Sequence, residues 1–180
     1  MSYFDDLEKL LEEYDWKPNN QKKTPKIRKG EFSLSVGLTC HWMKPGKPTL
    51  PTIRMRKDPR IYNECKKLFP DFDFEMVIIN KNFLCAPHKD INNTTESLIV
   101  GLGDYDGGDL CIEDHKTGEV SKHCIWRSPL YFNGKDNKHW TDDYTGTRYT
   151  VVLGNAKFIA HRDGGEKQKM NSQICADGCG

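Results

Sequence analysis

Three side chains in this sequence have the types and spacing of a metal centre. His88 and Asp90, in Pro87-His88-Lys89-Asp90-Ile91-Asn92-Asn93, stand two residues apart just after an apolar run. In extended backbone, residues i and i+2 point to the same side. An imidazole and a carboxylate can therefore grip one ion from a strand end while Lys89 turns away. Two ligands do not complete a site, and His139, in Lys138-His139-Trp140, lies far enough along for the chain to fold back and supply a third. Two histidines and one carboxylate on one face are the donor set of a non-haem Fe(II) centre, which leaves the opposite face open for exogenous ligands.

A second constellation follows in Thr147-Arg148-Tyr149-Thr150. Arg148 and Thr150 share one face of a strand, and their chemistry suits a two-pronged clamp on a carboxylate with Thr150 as a further donor. The apolar run Val151-Val152-Leu153 argues that this arginine is buried, and a buried arginine with no acidic neighbour needs an anion. His115 and His123 compete with His139 for the third ligand position. Neither has an arginine nine residues on, so His139 is preferred.

The elements that must position these groups change character along the chain. Residues 3–14 carry Phe4, Leu7, Leu10, Leu11 and Tyr14 at amphipathic helical spacing. The segment after it contains Lys17, Lys22, Lys23, Lys26, Arg28 and Lys29 without an acidic residue and reads as an exposed basic arm. Arg54, Arg56, Lys57 and Arg60 form a second basic group. Residues 32–38 read as a strand and 41–51 as a proline-rich loop. Asp58 and Pro59 are placed to open a helix that Pro70 stops, with Ile61, Tyr62, Cys65, Leu68 and Phe69 on one side. Short apolar runs then follow at 76–79, 83–86, 98–102, 110–113, 130–132 and 149–153, broken by Gly, Asn and Asp. Such strands predict two facing sheets or a squashed barrel behind N-terminal helices.

Composition bounds the function. The chain has 180 residues, 36% of them apolar, which suits a single domain over 1–180. Within it, 1–70 is the helical and basic part, 71–160 the β core and 161–180 a polar tail. A net charge of +1 excludes a globally basic nucleic-acid binder and leaves only local patches for phosphate. The seven cysteines form no C-x-x-C pair, and the start is acidic rather than basic and apolar. A reduced, intracellular protein, cytoplasmic or nuclear and not secreted, is the expectation.

Taken together, H-x-D, a distant His, an Arg nine residues later and a hydroxyl at +2 resemble the Fe(II)/2-oxoglutarate-dependent dioxygenase superfamily over about residues 76–153. The Gly-Gly of Asp106-Gly107-Gly108-Asp109-Leu110 is similar to that superfamily's mid-barrel turn. The resemblance implies an α+β fold with a double-stranded β-helix core of jelly-roll or cupin-like type. It also implies Fe(II) on His88, Asp90 and His139, 2-oxoglutarate as co-substrate on Arg148 and Thr150, and O2 as oxidant.

Finer features separate the branches. Prolyl-hydroxylase-like members usually have lysine at the position of Arg148, and AlkB-like enzymes carry a second arginine where this chain has Gly154. His88-Lys89-Asp90-Ile91-Asn92-Asn93 resembles the H-[RK]-D-x-x-N motif of the TET/JBP family of 5-methylpyrimidine DNA dioxygenases. So does the pairing of the stretch from Ser97 to Tyr105 with Tyr144-Thr145-Gly146-Thr147-Arg148-Tyr149. The resemblance is to a minimal member without a cysteine-rich zinc region. It implies DNA carrying 5-methylcytosine or thymine as partner and Asn93 as the residue that contacts the target base.

Two other readings stand beside this one. One keeps the chemistry and hydroxylates a protein side chain or a small metabolite. The other is a catalytically silent DNA-binding module that uses the basic arm alone. Further patterns are incomplete. His161-Arg162-Asp163 has no later histidine, Gly101-Leu102-Gly103-Asp104 lacks the third glycine of a dinucleotide fingerprint, and Asp104, Asp106 and Asp109 lack the closing Glu of a calcium loop. Cys175 and Cys179 are two ligands short of a zinc site.

Overall fold

The computed structural model describes residues 3–16, 30–39 and 50–155. Along the chain run α1 (Asp5–Glu12), β1 (Phe32–Thr39), β2 (Leu50–Pro51), α2 (Ile53–Lys57), α3 (Arg60–Leu68) and β3 (Met76–Lys81). They are followed by β4 (Ser97–Leu102), β5 (Tyr105–Gly107), β6 (Leu110–Glu113), β7 (Val120–His123), β8 (Leu130–Phe132), β9 (Lys138–Thr141), β10 (Tyr144–Gly146) and β11 (Tyr149–Gly154). No helix among the described residues is long and apolar enough to cross a membrane.

The larger sheet has the order β2-β1-β3-β11-β4-β8 and the smaller one β7-β6-β9. The segment at His88 extends the smaller sheet, because His88 bridges His139 of β9 in antiparallel fashion. Beyond β6 and β9, β5 pairs with β10 in the same sense. From β3 onward the chain therefore crosses repeatedly between sheets. β3, β4, β8 and β11 belong to the larger sheet, and the His88 segment, β6, β7 and β9 to the smaller. That winding of two antiparallel four-membered layers is the double-stranded β-helix.

The central strands β4 and β11 read as continuous apolar runs because both their faces are covered. Leu98, Val100 and Leu102 of β4, with Tyr149, Val151 and Leu153 of β11, pack in one core cluster with Leu7 and Leu11 of α1 and Ile61, Cys65 and Leu68 of α3. The alternate residue Ile99 turns into the barrel, where it meets Leu110, Ile125 and Phe132. Period two thus sends every second side chain of β11, Thr150 and Val152 included, toward the interior. The helices back the larger sheet and leave the barrel interior to polar chemistry.

The first helix is also tied electrostatically. Asp5, Asp6 and Glu8 occupy its first turn, where the helix dipole favours anions. Arg127 pairs with Asp5 at 3.0 Å and with Glu8, and Glu8 accepts a 2.7 Å hydrogen bond from the Gly103 backbone. Near the second basic group the structure departs from expectation. Thr52 accepts from Met55 N–H at 3.1 Å and caps the short helix α2, which carries Arg54, Arg56 and Lys57. Asp58 ends that helix and its carboxylate accepts from the backbone N–H of Arg60, so α3 starts one residue later than its proline suggests. Residues 83–86, expected as a strand, have no regular pairing of their own.

Cys65, Cys111 and Cys124 are free thiols, whereas Cys85 is disulfide-bonded, which corrects the expectation of reduced cysteines throughout. The basic arm of Lys17, Lys22, Lys23, Lys26, Arg28 and Lys29 lies outside the described residues. So do the loop at 41–49, His161-Arg162-Asp163, Cys175 and Cys179.

Leu7 and Leu11 are wholly buried against the larger sheet. Leu7→Ala is expected to cost about 2–5 kcal/mol, whereas Ile53→Ala, at 63% exposure, should stay within about 0.5 kcal/mol of wild type in guanidinium unfolding.

Candidate metal centre

The two histidines are brought together by backbone before their side chains count. His88 N–H donates to His139 O at 3.1 Å and His139 N–H to His88 O at 2.9 Å. This reciprocal pair is the hydrogen-bonded register of antiparallel strands, in which opposed side chains share a face. The imidazole centroids lie 4.2 Å apart. Asp90 is placed by its own N–H, which donates to Gly134 O at 2.9 Å in the turn before β9.

The three ligand atoms converge to within 4.8 Å of one another. His88 Nε2 lies 3.4 Å from Asp90 Oδ1, and His139 Nε2 lies 3.6 Å from Asp90 Oδ2. Nitrogen and oxygen ligands sit about 2.0–2.2 Å from a first-row ion such as zinc, which places neighbouring donors about 3 Å apart. The two imidazole–carboxylate distances are thus close to that spacing, whereas the widest separation in the triad, up to 4.8 Å, has to close further onto an ion.

Hydrogen bonding sets which ring nitrogens face the carboxylate. His88 Nδ1–H donates to Ala86 O at 2.8 Å and His139 Nδ1–H to Asn137 O at 3.1 Å. A carbonyl can only accept, so each proton sits on Nδ1 and each Nε2 lone pair faces Asp90. Burial, and then the neighbouring His88, hold the pKa of His139 below the ordinary histidine value although Asp90 pulls the other way. The neutral imidazole is the form that binds metal.

Space at the centre is guarded by Gly134. A Cβ there would lie 3.0 Å from Asp90 Oδ2, His139 Cε1 and Phe132 Cε2 at once. On the other side of the carboxylate, Asn93 Nδ2 donates to Asp90 Oδ2 at 3.3 Å and to Ser97 Oγ at 3.0 Å.

Behind the triad a cavity runs into the barrel, with Asn80, Thr150, Phe83, Ile99, Phe132 and Trp140 on its walls. Thr150 accepts from Asn80 Nδ2 at 2.9 Å, which leaves Asn80 Oδ1 buried without a partner. Two residues earlier on the same strand face, Arg148 is 3% exposed. Its guanidinium lies 5.4 Å from the ring centroids of both Tyr105 and Tyr144 and donates through Nη2 to Gly108 O at 2.9 Å. Its Nε–H has no partner, it makes no ion pair among the described residues, and burial holds its pKa below the ordinary arginine value. The Tyr105 hydroxyl is likewise buried and unpartnered.

An unpaired buried cation beside orphaned polar atoms has the chemistry of a carboxylate site. Three donors of two imidazole nitrogens and one carboxylate oxygen have that of a divalent ion. The donor sets therefore fit iron and a dicarboxylate.

His88, Asp90 and His139 meet, and Thr150 joins them on the cavity wall. His115 bonds to Asn137 and His123 to Ser121, both apart from the triad. Asn93, expected to touch a substrate, directs its amide nitrogen at Asp90 and Ser97. Sequence reasoning did not single out Asn80, Tyr105, Tyr144 or Gly134. The signal for two of them was the Gly-Gly turn. Gly108 has φ +69° and a Cβ there would lie 2.7 Å from Arg148 Nε, so the turn is open because the arginine lies across it between two tyrosines.

No family model and no curated protein sequence matches this chain. Solved structures do share its fold. "NgTET1 in complex with 5mC DNA" superposes with a TM-score of 0.52 at 14% identity, over 82% of this chain and 66% of that one. A bsmA homolog from Methylobium petroleophilum PM1 gives 0.50 at 13% identity, over 86% and 81%. A 2OG-Fe(II) oxygenase family oxidoreductase from Burkholderia pseudomallei superposes more loosely, with a TM-score of 0.47 at 13% identity, over 72% and 69%.

Gly134→Ala is expected to weaken Mn(II) binding by at least about tenfold, measured by the electron paramagnetic resonance signal of the free ion, because it displaces two ligands together. His88→Ala should abolish the binding.

Proposed function

We propose that this chain is an Fe(II)- and 2-oxoglutarate-dependent dioxygenase that hydroxylates the 5-methyl group of a methylated pyrimidine in DNA. The observation that carries the iron chemistry is the convergence of His88, Asp90 and His139 within 4.8 Å, with both Nε2 atoms turned toward the carboxylate. In this reading those three residues hold the metal. Arg148 and Thr150 hold the far carboxylate of 2-oxoglutarate, and Tyr105 and Asn80 supply polar atoms around it. Bound there, the iron and 2-oxoglutarate supply an oxidation in which O2 is consumed, 2-oxoglutarate leaves as succinate and CO2, and one oxygen atom enters a substrate C–H bond.

The protein's own share is positioning and exclusion of water. The Ala86 and Asn137 carbonyls keep the imidazoles in the ligating tautomer. Phe83, Ile99 and Phe132 wall the cavity with apolar surface. That surface keeps water from the reacting groups and strengthens the charge pairing at Arg148.

The substrate half of the reading rests on the H-K-D-x-x-N pattern of His88 to Asn93 and on the fold shared with NgTET1, a protein solved with 5mC DNA. By the H-K-D-x-x-N pattern, Asn93 matches the asparagine with which that family contacts the base. Its oxygen makes no hydrogen bond among the described residues and is left for a substrate. A base inside a duplex has to be flipped out to reach the iron, at a cost of a few kcal/mol. The second reading, hydroxylation of a protein side chain or small metabolite, draws on Ile91. That residue is 67% exposed beside Asp90 and suits an apolar contact as well as a base.

Succinate release should rise when 5-methylcytosine duplex is added and stay at the uncoupled rate with unmethylated duplex. Equal rates with both would remove the DNA assignment. Arg148→Ala should raise the KM for 2-oxoglutarate about 10–150-fold, the equivalent of a charged hydrogen-bonded contact of about 1.5–3 kcal/mol.

A further inference from the structure

We infer that Asn93 and Ser97 form a relay that orients the Asp90 carboxylate for the metal, so that Asn93 is a positioning residue of the iron centre as well as a neighbour of the substrate. The inference rests on the metal reading of the triad and extends it to residues outside the triad.

Asp90 is the one anionic member of the set, and its terminal torsion is intrinsically loose. Something must stop the carboxylate from rotating, and among the described residues Asn93 supplies its one side-chain hydrogen bond from outside the triad. The direction of that bond follows from chemistry. Asp90 Oδ2 is an acceptor, so the group facing it at 3.3 Å is the amide nitrogen, and the second N–H of the same nitrogen reaches Ser97 Oγ at 3.0 Å. Both hydrogens of Nδ2 are thus used, and the amide cannot flip without turning its oxygen on a carboxylate.

The relay is anchored at both ends. Asn93 closes a turn on the ligand itself, its backbone N–H donating to Asp90 O at 2.9 Å. Ser97 is 1% exposed and opens β4, the strand held between β11 and β8 in the larger sheet. The sheet therefore fixes the hydroxyl, the hydroxyl fixes the amide, and the amide fixes Oδ2. A Cβ at Gly134 would lie 3.0 Å from the same oxygen, so the glycine leaves Oδ2 its place, and the carboxylate stands with Oδ1 toward His88 and Oδ2 toward His139.

The test is Mn(II) titration of the full chain without DNA or 2-oxoglutarate, reading free ion by electron paramagnetic resonance, alongside the apo thermal midpoint of each variant. Asn93→Ala is expected to weaken Mn(II) binding about 10–100-fold, the range typical of losing an outer partner of a metal ligand. Ser97→Ala should weaken it less, and the double variant no more than Asn93→Ala alone, because Ser97 acts through Asn93. Unchanged Mn(II) affinity in Asn93→Ala, with only the KM for methylated DNA raised, would overturn the relay and leave a pure substrate contact. A lowered thermal midpoint with unchanged affinity would overturn it in favour of a structural role. A wild type that takes up no Mn(II) would remove the metal reading beneath it, an outcome distinct from failure of the relay alone.

Discussion

Two backbone hydrogen bonds, from His88 to His139 and back, are the constraint on which the site depends. They join residues far apart in sequence, so their formation requires the smaller sheet to close against β9. Once the register is set, both imidazoles share a face, and Asp90, two residues from His88, comes with them. A slip of one residue in this pairing would turn His139 away and bring Lys138 or Trp140 in its place, since side chains alternate with period two. The accuracy of the centre is thus inherited from strand register rather than from the side chains that form it.

The same logic places the second half of the site. β11 pairs with β3 and β4 on its two sides, with Thr150 opposite Asn80 and Gly101. Arg148 donates its N–H to Asn82 Oδ1 at 2.9 Å, and its carbonyl accepts from Asn82 N–H at 2.8 Å, so the strand is held in register up to the arginine. Gly101 completes the arrangement by absence of a side chain. A Cβ there would lie 2.1 Å from the Tyr105 hydroxyl, and the glycine leaves the room in which that hydroxyl approaches the interior.

Much of this was legible because it obeys short periods. H-x-D and Arg-x-Thr each place two side chains on one face by strand alternation alone, and the runs that became β3, β4, β6, β8 and β11 were visible as apolar stretches. What was not legible depends on contacts across sequence. β7 is Val-Ser-Lys-His, too polar to announce itself, and takes its strand form from pairing with β6. β5 and β10 are three residues each and gain theirs from one another. Gly134 shows its purpose only when three atoms from three elements crowd it. Asn93 could be matched to a motif, but which way its amide points follows from the carboxylate and hydroxyl it meets in space.

In the proposed reading, the charges on the two sides of the cavity explain why a single kind of ligand would suit it. In that reading Asp90, between the two imidazoles, offers a carboxylate to a cation, and Arg148 offers a buried guanidinium to an anion. Arg148, 3% exposed and without an ion pair among the described residues, stands where an unpaired charge costs several kcal/mol. Tyr105 and Tyr144 offset part of the arginine's cost, about 0.5–2 kcal/mol for each favourable ring. A divalent ion alone would satisfy only the first site and a monocarboxylate only the second. A dicarboxylate that chelates the ion with one end and meets Arg148 with the other would satisfy both. Preorganisation of this kind raises affinity by removing the reorganisation step. Strand register holds the two groups where they stand, and Gly134 and Gly108 leave the room that they occupy.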